Sequence, residues 1–257
     1  MKARVRPGKV LAIMVAPFAL AALGSPVGAQ QAQAPVDVAA PQAPAAPERV
    51  EHVYVELTTP AGAITLDLDK THAPLTTVNF LKYVDAKRLD GAVFYRAMHL
   101  GYSDEPAGLL QGGVRDGAKL FPPVAHEPTN RTGILHKAGT VSMARFAPGT
   151  ATADFMILIS DMPALDAEQG NNGEDPGAGF AAFGHVVSGM DVVRRIWDMP
   201  RSATKGEGVM KGDILEDEVR ITAARRVAAP PAAPAEGPMA GAPTEPVAAD
   251  GGNAGDD

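Results

Sequence analysis

The sequence predicts a mostly β domain, a closed antiparallel barrel capped by two helices. Three observations predict it. Apolar and polar residues alternate over several short runs, the pattern of half-buried strands. Only two segments repeat apolar residues at helical spacing. Many short strands with so few helices are accommodated by closing a sheet on itself and covering its ends.

The elements follow in order. Val53, Val55 and Leu57 alternate with His52, Tyr54 and Glu56. After the turn Pro60-Ala61-Gly62, Ile64, Leu66 and Leu68 alternate with Thr65, Asp67 and Asp69, which completes a hairpin with one buried face. Pro74 suits the first position of a helix. Leu75, Val78, Leu81 and Val84 continue that helix to about Lys87. Asp90-Gly91 turns into a strand over Val93–Met98. Strict alternation puts Phe94, Arg96 and Met98 on one face and Val93, Tyr95 and Ala97 on the other. Gln111 then stands before the pair Gly112-Gly113. Further strands are expected over 139–145, 155–160 and 183–187. A second helix from Met190 to Asp198 buries Val193, Ile196 and Trp197, and a final strand covers 214–227. The segments 99–108 and 166–179 read as long loops.

The domain occupies residues 49–227 of a 257-residue chain. Residues 1–29 read as a signal peptide. Lys2, Arg4, Arg6 and Lys9 precede an apolar run from Val10 to Leu23, and Val27 and Ala29 are the small residues before a cut near Gln30. That run is shorter than the roughly 20 residues that span a bilayer. No integral membrane span is therefore expected after cleavage, and the expected location is periplasmic or secreted. Residues 30–48 form an Ala/Pro/Gln-rich linker. Residues 228–257 form a Pro/Ala/Gly/acidic tail with the composition of disorder. The formal charge is −7, and the four cations of the signal segment are lost on cleavage. So acidic a protein argues against nucleic acid as a partner. Nothing in the sequence suggests more than a monomer.

Familiar catalytic constellations are missing. With no cysteine there is no thiol nucleophile, disulfide or cysteine metal site. No G-x-S-x-G elbow occurs. The run from Gly112 to Lys119 lacks the phosphate-loop lysine, since Ala118 stands in its place. His126-Glu127 lacks a second histidine. The six histidines show no ligand spacing and read as surface or capping residues, and neither metal nor cofactor is expected. The acidic loop 166–175 does not match the EF-hand calcium pattern and reads as a solvated turn. What remains is Arg96, a costly charge among apolar neighbours, with Gln111 nearby. Rotation about the peptide bond before proline needs no nucleophile, metal or base. Twisting that bond breaks amide resonance against a barrier of about 20 kcal/mol and leaves a lone pair on the prolyl nitrogen. A guanidinium aimed at that nitrogen stabilises the twisted state over the planar one. An amide side chain can place the substrate carbonyl, and an apolar floor can hold the ring.

Over roughly Val53 to Ile221 the chain resembles the cyclophilin-type peptidyl-prolyl cis-trans isomerases. The resemblance rests on the order of Thr77-Val78-Asn79-Phe80-Leu81, Phe94-Tyr95-Arg96, Gln111-Gly112-Gly113, Gly139-Thr140-Val141-Ser142-Met143-Ala144, Asp154-Phe155-Met156-Ile157, Leu165-Asp166 and Phe183-Gly184-His185-Val186. It implies an eight-stranded closed barrel with two capping helices. It also implies that Arg96 is the catalytic arginine and Gln111 its partner. Leu109, Met156, Leu165 and Phe180 fall at proline-pocket positions, where Leu109 replaces a methionine, Met156 a phenylalanine and Phe180 a histidine. Ala144 and Arg145 fall on the segment whose backbone pairs with bound peptide, with Arg145 replacing an asparagine. The family's pocket tryptophan falls on Ala164, which makes strong cyclosporin-type inhibition doubtful.

Two functions are carried forward. One is a prolyl isomerase that assists folding of exported proteins by turning over proline-containing segments. The alternative is a catalytically weak cyclophilin-like module that binds such segments as a chaperone or assembly factor. Retained Arg96 and Gln111 favour the first, and the altered aromatic wall favours the second.

Overall fold

The computed structural model describes residues 50–101, 105–171 and 173–230. The expected signal peptide, the whole linker and the tail beyond residue 230 lie outside these residues. Among the described residues nine strands run in chain order: β1 (His52–Thr59), β2 (Gly62–Asp69), β3 (Val93–His99), β4 (Gly108–Gly113), β5 (Thr140–Met143), β6 (Phe155–Leu158), β7 (Ala181–Ser188), β8 (Ile214–Arg220) and β9 (Ala223–Val227). They make one antiparallel sheet in the order β8-β3-β4-β6-β5-β7-β2-β1-β9. Among the described residues three α-helices accompany it: α1 (Pro74–Asp85), the single turn α2 (Thr129–Thr132) and α3 (Met190–Trp197). Among the described residues no helix is long and apolar enough to cross a membrane.

The sheet departs from the closed eight-stranded barrel expected above. It is a nine-stranded curled half-barrel, and no ladder joins β8 to β9 among the described residues. The reason lies in the last strand, which serves two partners. β8 pairs with β3, and β9 pairs with β1. Between them the chain is tied by Ile221 N–H to the Ala92 carbonyl and by Thr222 N–H to the Thr58 carbonyl. The ragged alternation over 214–227 is thus a break between two strands.

The main core fills the inner face of the sheet under α1 and α3. Phe155 is its centre, edge-on to Phe80 at 5.4 Å and to Phe94 at 5.8 Å between centroids. α1 is rotated from its expected face. Leu75 and Val78 are 50% and 38% exposed, while Phe80, Leu81, Tyr83 and Val84 are buried. Turning the two aromatics inward buries more apolar area than turning in Leu75 and Val78. The N-terminus of α1 is capped from a distance. The buried Glu127 carboxylate accepts from Leu75 N–H at 3.1 Å, from Thr76 N–H at 2.6 Å and from the Thr76 hydroxyl at 2.7 Å. A negative charge there satisfies orphan donors and complements the helix dipole. This accounts for Glu127 without a metal.

β3 also departs from expectation. Its register shifts between Phe94 and Arg96: Phe94 faces Gly112, and Arg96 faces Gln111. Tyr95 is the extra residue of a β-bulge, which re-aims the side chains on either side of it. Phe94 and Ala97 therefore both lie in the core, fully buried. Arg96 does not share their face. The glycines opposite are part of strand β4 rather than a turn. A Cβ on Gly112 would approach Phe94 Cδ1 to 2.8 Å, and one on Gly113 would fall on the Asp154 carboxylate.

The rotation of α1 is checked by denaturation. Phe80→Ala should cost about 3–5 kcal/mol of unfolding free energy, whereas Leu75→Gln should cost under about 0.5 kcal/mol. Equal losses at the two positions would mean that the helix sits as the periodicity alone suggests.

Candidate active site

In-register pairing lines up Arg96 on β3, Gln111 on β4, Met156 on β6 and Ser142 on β5. Directly opposed residues on neighbouring antiparallel strands share a face. The next row on that face is Met98, Leu109 and Leu158. The residues between the rows, Ala97, Leu110 and Ile157, belong to the main core. The sheet thus carries its core on one face and this second group on the other.

Leu109, Met156, Leu158 and Met162 form a separate buried apolar cluster, packed against Met98, Leu100, Leu165 and Phe180. All four apolar residues singled out from the sequence, Leu109, Met156, Leu165 and Phe180, meet here. Leu109 and Met156 are buried, and Leu165 and Phe180 are half-buried. We call this cluster the cup, with a buried floor of Leu109 and Met156 and a half-buried wall of Leu165 and Phe180. The wall is one unit, because Phe180 N–H bonds to the Leu165 carbonyl at 2.9 Å.

Arg145 has a role that the sequence reading did not include. Its side chain is 6% exposed. Its guanidinium lies 4.9 Å from the Phe180 ring centroid. It donates to the Gly179 carbonyl at 2.9 and 2.6 Å, and to Asp175 at 2.9 Å through two nitrogens. That pairing holds Asp175 below the usual carboxylate range. The loop read as a solvated acidic turn is therefore latched onto the cup wall. Ala144, at the end of β5, donates its N–H to the Asp154 carbonyl and lines a cleft of about 410 Å³ with Tyr95, Gln111, Arg115 and Asp154. Gln111 lines this cleft and is in register with Met156 of the apolar cup.

The polar groups form a continuous chain. Arg96 Nε and Nη2 donate to Asp213 Oδ2 at 3.2 and 3.0 Å, and Nη1 donates to Gln111 Oε1 at 3.2 Å. Gln111 Nε2 donates to the Tyr95 hydroxyl at 2.6 Å, which donates to Asp154 at 2.8 Å. Burial raises the Asp154 carboxyl above its ordinary value, against the hydrogen bond from Tyr95 and the charge of Arg115. Burial raises the Tyr95 phenol as well, reinforced by Asp154. Asp213 was not singled out from the sequence. It lies 117 positions from Arg96, and no local pattern marks it.

His136 is a second correction. It is 1% exposed, not a surface residue. Nδ1 lies 2.7 Å from Asp166 Oδ1, and Nε2 lies 2.8 Å from Ser142 Oγ. Serine, histidine and acid in this order resemble a nucleophilic triad, but Ser142 is fully buried, so no substrate carbonyl reaches it. The group ties β5 to the loop that carries Leu165.

The half-barrel thus carries a buried apolar cluster beside a guanidinium that is hydrogen-bonded to an amide side chain. Residues 54–225 match the family described as cyclophilin type peptidyl-prolyl cis-trans isomerase/CLD. This chain belongs to that family. A peptidyl-prolyl cis-trans isomerase of Acinetobacter baylyi is 33% identical over 157 residues, 59% of this chain and 75% of the relative. Peptidyl-prolyl cis-trans isomerase B of Escherichia coli is 32% identical, covering 62% of this chain and 91% of that protein. The crystal structure of a cyclophilin type isomerase from Cryptosporidium parvum shares the fold at 18% identity, with a TM-score of 0.53 over 70% of this chain and all of that one. The activity that follows is isomerisation of Xaa-Pro peptide bonds.

Burial holds His136 below its ordinary value, against the opposing pull of Asp166, and burial lowers His126 as well. Unfolded histidine titrates near about 6.5. Below that pH, down to the lowered folded values, the unfolded chain binds more protons, so stability falls as pH falls through this window. Urea denaturation at about pH 7.5 and pH 5.5 should show the loss, and His136→Gln should reduce it. An unchanged slope in the variant would mean that His136 does not titrate differently on folding.

Proposed function

We propose that Arg96 is the catalytic group of this isomerase, with Gln111 as its partner, and that the proline ring sits in the cup of Leu109, Met156, Leu165 and Phe180. The observation that carries this is the row Arg96–Gln111–Met156 across three neighbouring strands. Adjacent strands lie about 4.8 Å apart, so an arginine side chain reaches the edge of a ring seated over Met156. The planar amide has little lone-pair density on nitrogen, and the twisted amide has a full pair. A guanidinium N–H directed at that nitrogen is therefore worth more in the transition state than in either ground state. Gln111 receives one Arg96 N–H and is placed to orient the substrate carbonyl. Residues preceding the proline run past Gln111 and Ala144 into the neighbouring cleft.

The role is assistance to the folding of exported proteins, in which Xaa-Pro isomerisation is slow enough to limit folding. Support comes from the signal-like segment 1–29, the acidic charge of −7 and the absence of cysteine, which frees the domain from redox conditions. The enzyme works as a monomer on proline-containing segments of unfolded chains, in the periplasm or outside the cell. A related Cryptosporidium parvum enzyme, TM-score 0.52, was crystallised in the presence of the dipeptide Ala-Pro, the kind of ligand this cup suits.

Arg96→Ala should lower kcat/KM in a protease-coupled assay of a short Ala-Pro peptide by about 10²–10³. Activity equal to wild type would remove Arg96 from the mechanism. Asp175→Ala frees Arg145 and loosens the Phe180 wall. It should raise KM several-fold, with kcat changed by less than about twofold. A fall in kcat at constant KM would show that the wall acts on the reacting bond instead.

A further inference from the structure

The hydrogen-bonded chain through Arg96 ends on a carboxylate at each side, Asp213 at one end and Asp154 at the other. We propose that Asp213 and Tyr95 are positioning residues, clamping the Arg96 guanidinium from opposite edges so that its remaining donors face the apolar cup. This rests on the catalytic reading of Arg96.

Asp213 takes the Nε and Nη2 edge with a single oxygen. It is itself fixed, since its carbonyl accepts from Ala97 N–H at 2.8 Å, which ties it to the strand that carries Arg96. Arg201 lies 3.9 Å from its other oxygen. The pair is largely shielded, with Arg96 12% and Asp213 15% exposed, where such contacts are weakly screened.

The other edge is set by direction. A carboxylate at Asp154 accepts, so the Tyr95 hydroxyl donates to it. The same oxygen must then accept from Gln111, and the amide turns its NH₂ toward Tyr95. Its carbonyl is left pointing at Arg96 Nη1. The opposite amide orientation would set N–H against N–H at Arg96. Tyr95 therefore decides which end of Gln111 the guanidinium meets. The bulge serves this, because it brings Tyr95 and Arg96, adjacent in sequence, to opposite ends of one glutamine. Gly113 leaves room for the Asp154 carboxylate.

The test is a set of variants assayed for kcat and KM on an Ala-Pro peptide: Tyr95→Phe, Asp213→Ala and Asp213→Asn, each alone and with Arg96→Ala. Tyr95→Phe and Asp213→Ala should each lower kcat roughly tenfold with little change in KM. Asp213→Asn keeps an acceptor oxygen and should lose less than Asp213→Ala. In the Arg96→Ala background none of these losses should recur, because a positioning residue acts only through the group it positions. Losses that persist without Arg96, or that appear in KM alone, overturn the proposal while leaving the Arg96 reading intact. Wild-type activity in Arg96→Ala overturns both. If Asp213→Ala does not fold, Tyr95→Phe and Asp213→Asn decide the question.

Discussion

One extra residue in β3 determines where everything else at the site can stand. Without the bulge at Tyr95, alternation would put Arg96 on the face of Phe94, inside a core built on Phe80, Phe155 and Phe183. An unpaired guanidinium there would cost several kcal/mol. With the bulge, Phe94 keeps its place against Phe155 and Arg96 emerges opposite Gln111. The same sheet then carries two unlike faces, one the main core and the other the smaller apolar cluster beside Arg96 and Gln111.

The cup is built from ordinary strand residues, and its wall is held by ions. Met98, Leu109, Met156 and Leu158 come from three consecutive strands of the sheet. Leu165 and Phe180 come from residues 163–167 and 173–180, which are held by polar contacts: Arg145 on Asp175 and Gly179, and His136 on Asp166. A methionine at position 156 fills space without the rigidity of a ring. The stiffness of this pocket therefore depends on how well its loop is anchored. Arg145 against Phe180 adds a cation–π contact worth about 0.5–2 kcal/mol.

Much of this was legible in the sequence. Alternation located the first hairpin, and the order of short motifs singled out Arg96 and Gln111, which the structure pairs, and Leu109, Met156, Leu165 and Phe180, which it brings into one apolar cluster. The misreadings share a cause. Periodicity assumes a regular element, and it failed where the backbone was irregular. It put Phe94 and Arg96 on one face because it cannot see a bulge. It joined β8 to β9 because a strand that changes partners keeps its β-forming residues. It turned Leu75 and Val78 inward because it weighs apolar residues equally, whereas packing favoured Phe80 and Tyr83. Long-range polar pairs were invisible for a different reason. Glu127 with Thr76, Arg145 with Asp175 and Arg96 with Asp213 are each separated by 30 or more positions, and a lone sequence carries no signal for them.

The central claim is that the guanidinium favours the twisted amide over both planar forms. Exchange spectroscopy by NMR on an Ala-Pro peptide bound to the enzyme measures cis/trans interconversion on the protein apart from affinity. The account predicts that Arg96→Ala slows on-enzyme exchange by about 100-fold and leaves the Kd of each isomer nearly unchanged. An exchange rate equal to wild type, with activity lost only through weaker binding, would contradict it.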